Sequence, residues 1–245
     1  MLVTVSGATD VGLERAHNED ALVLDGFVST SRHAHLEVAL APTRGSTVIA
    51  VVDGMGGHAA GDRASRLVAH LLADAGPSAV TPDDVTGLIV DAHGAVRAEM
   101  AALPSTAGMG ATVAGVLLRA EGPSLVFNVG DSRVYEIIDG CLVQISVDDS
   151  PPRPAGMPED ARMVLITQAI GTNRAEAPTP HLHAVDLAVG SRLLLCSDGL
   201  TDYASLDRIE ELLADPATDA STLCELACAG GGGDNVSVVL VTVTG

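Results

Sequence analysis

The stretch IAVVDGMGGHAAGDRAS (Ile49–Ser65) decides how this chain is read. Four apolar residues, Ile49–Val52, run as a buried strand into Asp53, and Gly54, Gly56 and Gly57 follow before helical periodicity begins at Ala60. Either the glycines cradle a nucleotide phosphate, or Asp53 is a metal ligand that needs nothing bulky beside it. Gly54–Ala59 fits G-x-G-x-x-A, placed after a strand and before a helix as in a dinucleotide fold. Asp74 stands roughly 20 residues further on, where that fold carries an acidic residue. Yet Asp74 ends a helical segment, and Pro82–Leu103 reads as a second helix. The βαβ unit is missing, so the glycine explanation is weak.

The carboxylate explanation gains because the construction recurs. LLLCSDGLTD carries an apolar strand into Asp198, VGDSRVY puts Asp131 between two strands, and GGGGDNVSVVLV places Asp234 at the mouth of the last strand. RAHNEDALVL sets Glu19 and Asp20 just before an early strand. Any one of these is most simply a turn or cap, as Asp139–Gly140 in EIIDGCLVQI is a hairpin. Taken together they would cluster only by accident. Two carboxylate charges about 4 Å apart repel by roughly 4 kcal/mol at an effective dielectric near 20. Converging carboxylates therefore hold protons or cations, and an all-oxygen set favours Mg²⁺ or Mn²⁺ over Zn²⁺.

Composition narrows the class further. The chain has 245 residues and a net charge of −19, which argues against nucleic acid or an anionic membrane surface as partner. All 13 basic residues are arginine, which excludes a P-loop lysine, a Schiff-base lysine and a Ser–Lys nucleophile. No apolar run reaches membrane-spanning length and the N-terminus lacks signal-peptide character. The four cysteines show no zinc spacing; Cys224 and Cys228 read as a buried thiol pair on a helix, and the cytoplasm is expected.

Periodicity predicts strands at Leu2–Ser6, Ala21–Leu24, Leu36–Ala41, Thr47–Val52, Thr112–Leu118, Ser124–Val129, Val134–Ile138, Leu142–Ser146, Arg192–Cys196 and Val236–Val243. Helices are expected at Ala60–Ala75, Pro82–Leu103, Leu206–Ala214 and Ala220–Ala229, with Thr81 as N-cap before Pro82. Ser29–His35 and Asp148–Arg162 read as irregular. The order implies an α+β layered domain without strict βαβ alternation, in one unit over 1–245.

The motifs GLERAHNEDA, VVDGMGGHAAGDRAS, GMGATVAGVLL, VGDSRVY, LLCSDGLTD and GGDNVSVVLV, in this order, resemble the metal-dependent protein serine/threonine phosphatases of type 2C, in their compact bacterial branch. The resemblance implies a four-layer α-β-β-α sandwich, two central antiparallel sheets flanked by helix pairs. It implies Asp53 bridging two Mn²⁺ or Mg²⁺ ions, with the Gly54 carbonyl also a ligand. Asp198 and Asp234 would complete the first site and Asp20 would act on the second, with Asp131 and Asp198 available to a third ion. Glu19 is the weaker neighbour, Asn235 would orient Asp234, and Arg15 would bind phosphate. The implied reaction is attack by a metal-bridging hydroxide on phosphoserine or phosphothreonine, in proteins modified by a bacterial Ser/Thr kinase, by a monomer.

Some features depart from the family pattern. Met55 stands where animal members carry a histidine. His58 is then a candidate substrate contact or proton donor, against the plain reading of a packed or exposed loop side chain. The flap near 148–167 is short and proline-rich, and TQAIGT replaces a commoner Thr-Arg start. His33/His35 and His181/His183 alternate as on strand faces, where metal binding is the less favoured reading. Two rivals stay open: a pseudophosphatase that binds phosphoproteins without turnover, and a phosphatase dedicated to one regulatory partner.

Overall fold

A strand that is apolar on both faces must be covered on both faces, and Ser46–Met55 meets this demand. In the computed structural model, which describes residues 1–42, 45–56, 60–151 and 165–245, Ile49 and Val51 join a core between two sheets. Val48, Ala50 and Val52 join a different core, under helices. The alternation of side chains along a strand sorts them this way.

The first sheet runs β4 (His33–Leu40), β1 (Val3–Asp10), β13 (Val236–Val243), β12 (Arg192–Cys196), β8 (Arg133–Ile138), β9 (Cys141–Gln144). The second runs β11 (His181–Val185), β7 (Ser124–Val129), β6 (Gly110–Arg119), β5 (Ser46–Met55), β2 (Asp20–Leu24), β3 (Phe27–Ser29), with the short β10 (Ile170–Gly171) also on β6. Every pairing is antiparallel. Helices α1 (Gly61–Ala75) and α2 (Pro82–Ala102) cover the second sheet. The short α3 (Asp198–Thr201), with α4 (Leu206–Leu213) and α5 (Ala220–Ala229), covers the first. Three aliphatic cores thus hold four layers, α-β-β-α, as the sequence resemblance implies. Each fully buried Val, Leu or Ile contributes about 1.5–3 kcal/mol.

Local chemistry starts and stops these elements. Thr81 caps α2 in a reciprocal box: its side chain accepts from Asp84 N at 3.2 Å, while Asp84 Oδ2 accepts from Thr81 N at 2.9 Å. Asp139 and Gly140 both take positive φ, 51° and 84°, which makes the expected two-residue hairpin between β8 and β9. Asp25 and Gly26 do the same, at 48° and 83°, between β2 and β3.

Several expectations need correction. Ser29–His35 is not irregular throughout, because β3 ends at Ser29 and β4 begins at His33. Strands β3 and β10 and helix α3 were not expected as elements, and β11 was noted only through the alternation of His181 and His183; β3, β10 and α3 have four residues or fewer. Cys224 is buried but Cys228 only partly so, and all four cysteines are free thiols. Most of the flap, residues 152–164, lies outside the described residues. Among the described residues no helix is long and apolar enough to cross a membrane.

Thr81→Ala removes one half of the capping box. It should cost about 1 kcal/mol, lowering Tm by about 2–4 °C in a chain of this size, as scanning calorimetry would measure. Metal affinity should not change.

Candidate metal centre

The carboxylates gather where the inter-sheet core ends. Asp53 lies two residues beyond Val51 on β5, so its side chain takes the inter-sheet side. Asp20 pairs with Asp53 in register on β2 and shares its parity with Leu22 and Leu24 of the same core. Side chains so paired stand about 4.5–5.5 Å apart at Cβ. From the opposite sheet, Asp198 opens α3 just after β12, and Asp234 stands just before β13. Asp131 sits in the turn from β7 to β8, where the chain passes from one sheet to the other.

These carboxylates act on one another electrostatically. Burial raises the Asp53 pKa well above its ordinary value, reinforced by Asp20, Asp198, Asp131 and Asp234. Burial likewise raises Asp198, with repulsion from Asp131 and Asp234 next. It also raises Asp20, opposed by hydrogen bonds to Ser237 and Ser197. Asp131 is pushed up to about 6, chiefly by burial. Asp53 is the common neighbour of all of them.

A polar floor supports the cluster. Ser197 Oγ donates to Asp20 Oδ2 at 3.0 Å and accepts from Ser237 N at 2.9 Å. Ser237 Oγ meets Thr9 Oγ1 at 2.7 Å, and Thr9 Oγ1 accepts from Asn18 Nδ2 at 2.7 Å. Ser197 and Ser237 were missed in the sequence. Strand alternation carried a signal for both: Ser197 continues the inward parity of Leu193 and Leu195, and Ser237 that of Val239 and Val241.

Around the rim, Arg15 Nη2 donates to Asp234 Oδ2 at 2.8 Å from a half-exposed position. Burial would lower its pKa, but Asp234, Glu19 and Asp53 leave it raised. Asn235 reaches Asp234 through its backbone N, at 2.8 Å to Oδ1. Its side chain does something else: it accepts from Glu19 N at 2.8 Å and donates to Val11 O and His17 O at 2.9 and 3.0 Å. Asn235 therefore holds the loop that carries Arg15 and Glu19. The Glu19 carboxylate lies over the first turn of α1, where a Cβ on Gly61 would come within 2.3 Å of Oε2. Its pKa is raised by burial, against Arg15. Gly54 is bare for a reason internal to the fold, since a Cβ there would lie 2.1 Å from Gly61 O and 2.6 Å from Glu19 O. His58 lies outside the described residues.

The donor set fits hard divalent cations. Asp20 Oδ1 and Asp131 Oδ1 are buried with no hydrogen-bond partner among the described residues, and an orphaned buried carboxylate oxygen is costly. Oxygen-only donors suit Mn²⁺ or Mg²⁺. Three of the described histidines pair with other carboxylates: His33 Nδ1 is 2.9 Å from Asp10 Oδ2, His35 Nε2 is 3.6 Å from Asp219 Oδ2, and His181 Nε2 is 2.9 Å from Asp149 Oδ1.

Two antiparallel sheets thus pack between helical layers, with carboxylates drawn from both sheets to one rim. The profile of the protein phosphatase 2C family matches residues 37–226, and the chain belongs to that family. It is 34% identical over 257 residues to the serine/threonine protein phosphatase PstP of Mycobacterium tuberculosis, covering 99% of this chain but 45% of PstP. It is 30% identical to the serine/threonine phosphatase stp of Listeria monocytogenes, covering 95% of this chain and 93% of stp. The crystal structure of M. tuberculosis PstP superposes with a TM-score of 0.80 at 32% identity, covering 100% of both chains. The PstP catalytic domain in complex with two manganese ions gives 0.79, also at 32% identity with full coverage of both.

The raised pKa values set a pH dependence for metal-free protein. The folded state keeps protons that the unfolded chain releases near pH 4. The stability these groups contribute is complete below that pH and is lost as pH rises through the folded values, about 6 for Asp131. The Tm of chelator-treated protein should fall between pH 5 and 8. Saturating Mn²⁺ should abolish that fall, and Asp53→Asn should flatten it without metal; thermal melts across pH give the readout.

Proposed function

We propose that the chain is a metal-dependent phosphoprotein phosphatase hydrolysing phosphoserine and phosphothreonine. The observation that carries this reading is the set of buried Asp20 and Asp131 with partly buried Asp53, Asp198 and Asp234, the first two carrying orphaned oxygens, beside a half-exposed arginine. Asp53, the Gly54 carbonyl, Asp198 and Asp234 would hold one ion and Asp53 with Asp20 a second, with Asp131 and Asp198 open to a third. Bound Mn²⁺ or Mg²⁺ supplies Lewis acidity and a hydroxide at neutral pH. The PstP complex with two manganese ions supports the pair.

The protein's own groups orient the phosphate. Asp234 binds Arg15 while its charge is otherwise uncompensated. A cation held by Asp234 would leave the Arg15 guanidinium available to grip two phosphoryl oxygens as a fork. Asn235 holds the loop from which Arg15 projects and also contacts Asp234 through its backbone, so one residue registers phosphate site and metal site together. Asp20 is held by Ser197, which limits its rotation.

Residues 1–245 act as one phosphatase domain with a short flap near 148–167, and the substrates are targets of a bacterial Ser/Thr kinase. The domain works as a monomer in the cytoplasm, where its four free thiols stay reduced. Net charge of −19 disfavours nucleic acid and anionic membrane surfaces as partners.

Phosphate release from a phosphothreonine peptide tests the reading. Turnover should require Mn²⁺ or Mg²⁺ and stop with chelator. Asp198→Asn should lower it by more than the 10- to 100-fold typical of outer-shell losses. Arg15→Ala should raise KM about 10-fold or more, the loss of one charge-assisted contact. Folded protein silent with every metal would overturn the enzyme reading in favour of a phosphoprotein-binding module.

A further inference from the structure

Asp148 and Asp149 are consecutive, yet each grips a different part of the centre. Asp148 accepts from Arg133, at 3.2 and 3.0 Å from Nε and 2.7 Å from Nη2, while Arg133 Nη1 reaches Thr201 Oγ1 on α3 at 3.0 Å. Asp149 closes a ring with Gly130. Gly130 N donates to Asp149 Oδ2 at 2.9 Å, and Asp149 N donates to Gly130 O at 2.9 Å. The other oxygen, Oδ1, accepts from Gln168 Nε2 at 2.8 Å and lies 2.9 Å from His181 Nε2. Asp149 is 7% exposed. Upstream, Asn128 bonds both backbone groups of Val147, at 2.7 Å to O and 3.1 Å from N, and His181 is Asn128's cross-strand partner.

Gly130 leaves little slack in this ring. Its φ is +97°, and a Cβ would lie 2.5 Å from Thr112 Cβ and Cγ2. The next residue is Asp131, whose Oδ1 is one of the orphaned buried oxygens. A carboxylate at 149 thus holds, through one glycine, the backbone from which an oxygen without a hydrogen-bond partner projects.

We propose that Asp149 is a positioning residue for Asp131: its ring with Gly130, held from behind by His181 and Gln168, keeps the Asp131 carboxylate directed at the cation it helps to bind. The inference rests on the metal-dependent reading above and concerns one of its ions. Asp149→Asn cannot keep both halves of this arrangement, because its single amide oxygen serves either Gly130 N or the side facing Gln168 and His181. Its NH₂ then faces a donor.

Mn²⁺ titration followed by electron paramagnetic resonance, on wild type, Asp131→Asn, Asp149→Asn and the double variant, tests this. Asp149→Asn should weaken by about 10- to 100-fold the class of Mn²⁺ that Asp131→Asn removes, as losses around a ligand do, and spare the other ions. The double variant should be no worse than Asp131→Asn alone, since residues acting through one another are not additive. Amide exchange at Gly130–Ser132 should quicken in Asp149→Asn. His181→Gln, which retains a donor, should stay near wild type, and His181→Ala should show part of the loss. If Asp149→Asn does not fold, His181→Ala takes its place in the cycle. Unchanged Mn²⁺ binding in folded Asp149→Asn, simple additivity, or an Asp131→Asn variant that binds Mn²⁺ normally would each overturn the proposal. Wild-type turnover in the same preparations separates the two readings: absent turnover with the expected Mn²⁺ pattern fails the function alone.

Discussion

Everything at the functional end of this protein depends on burying carboxylates where two aliphatic sheets stop. Asp20 and Asp53 face each other across β2 and β5, and Asp53 feels three more carboxylates besides. At roughly 4 kcal/mol for a pair near 4 Å, a few such contacts rival the whole stability of a domain, about 5–15 kcal/mol. Full ionisation without cations would therefore lower the stability of the fold. Protons offset the repulsion at low pH and divalent cations offset it at neutral pH. The three cores supply the rigidity that keeps the groups close meanwhile.

That rigidity comes from backbone packed against backbone. Gly54 is bare not simply to admit a ligand. Gly54 has the carbonyls of Glu19 and Gly61 where its Cβ would be, so the strand, the Glu19 loop and the first turn of α1 touch directly. Gly199 is similar, with Asn235 O only 1.9 Å from its notional Cβ. At both places a carboxylate precedes the glycine, and the close contact fixes the carboxylate's backbone. Gly54 and Gly199 thus each position an aspartate.

Legibility in the sequence followed the range of the interactions concerned. The five carboxylates were readable because each ends or begins a long apolar run, and burial of charge at such a place has few explanations. The long helices and the central strands were readable for the same reason of length. The Asp25–Gly26 hairpin carried the signal recognised at Asp139–Gly140, but three residues of β3 are too few to alternate visibly. Ser197 and Ser237 continue inward-facing series that break off one step before the carboxylates, and a serine there is indistinguishable from a strand-end cap until the sheets are packed. The Asn235 side chain was assigned to its neighbour, whereas it spans to Val11 and His17, more than two hundred residues away in sequence. No local pattern encodes that pairing. Asp149 was hidden likewise, since Gly130, Gln168 and His181 come together only through the β7–β11 pairing and the turn between the sheets.

The site also depends on both sheets at once. Asp20 and Asp53 are carried by the second sheet, Asp198 and Asp234 flank strands of the first, and Asp131 rides the crossing between them. A slip of one sheet over the other would change the carboxylate spacing before it exposed much apolar surface, because the rim lies at the end of the shared core. The Ser237 contacts anchor Ser197 within the first sheet, and the Ser197–Asp20 bond crosses that boundary. So do the Arg133–Asp148 pair and the Asp149–Gly130 ring, which tie one short segment to β8 and to the end of β7. Polar contacts of this kind contribute only about 0.5–3 kcal/mol each, little beside the aliphatic cores. Their effect is to convert generic sheet-on-sheet packing, which tolerates small shifts, into one register in which five carboxylates share a rim.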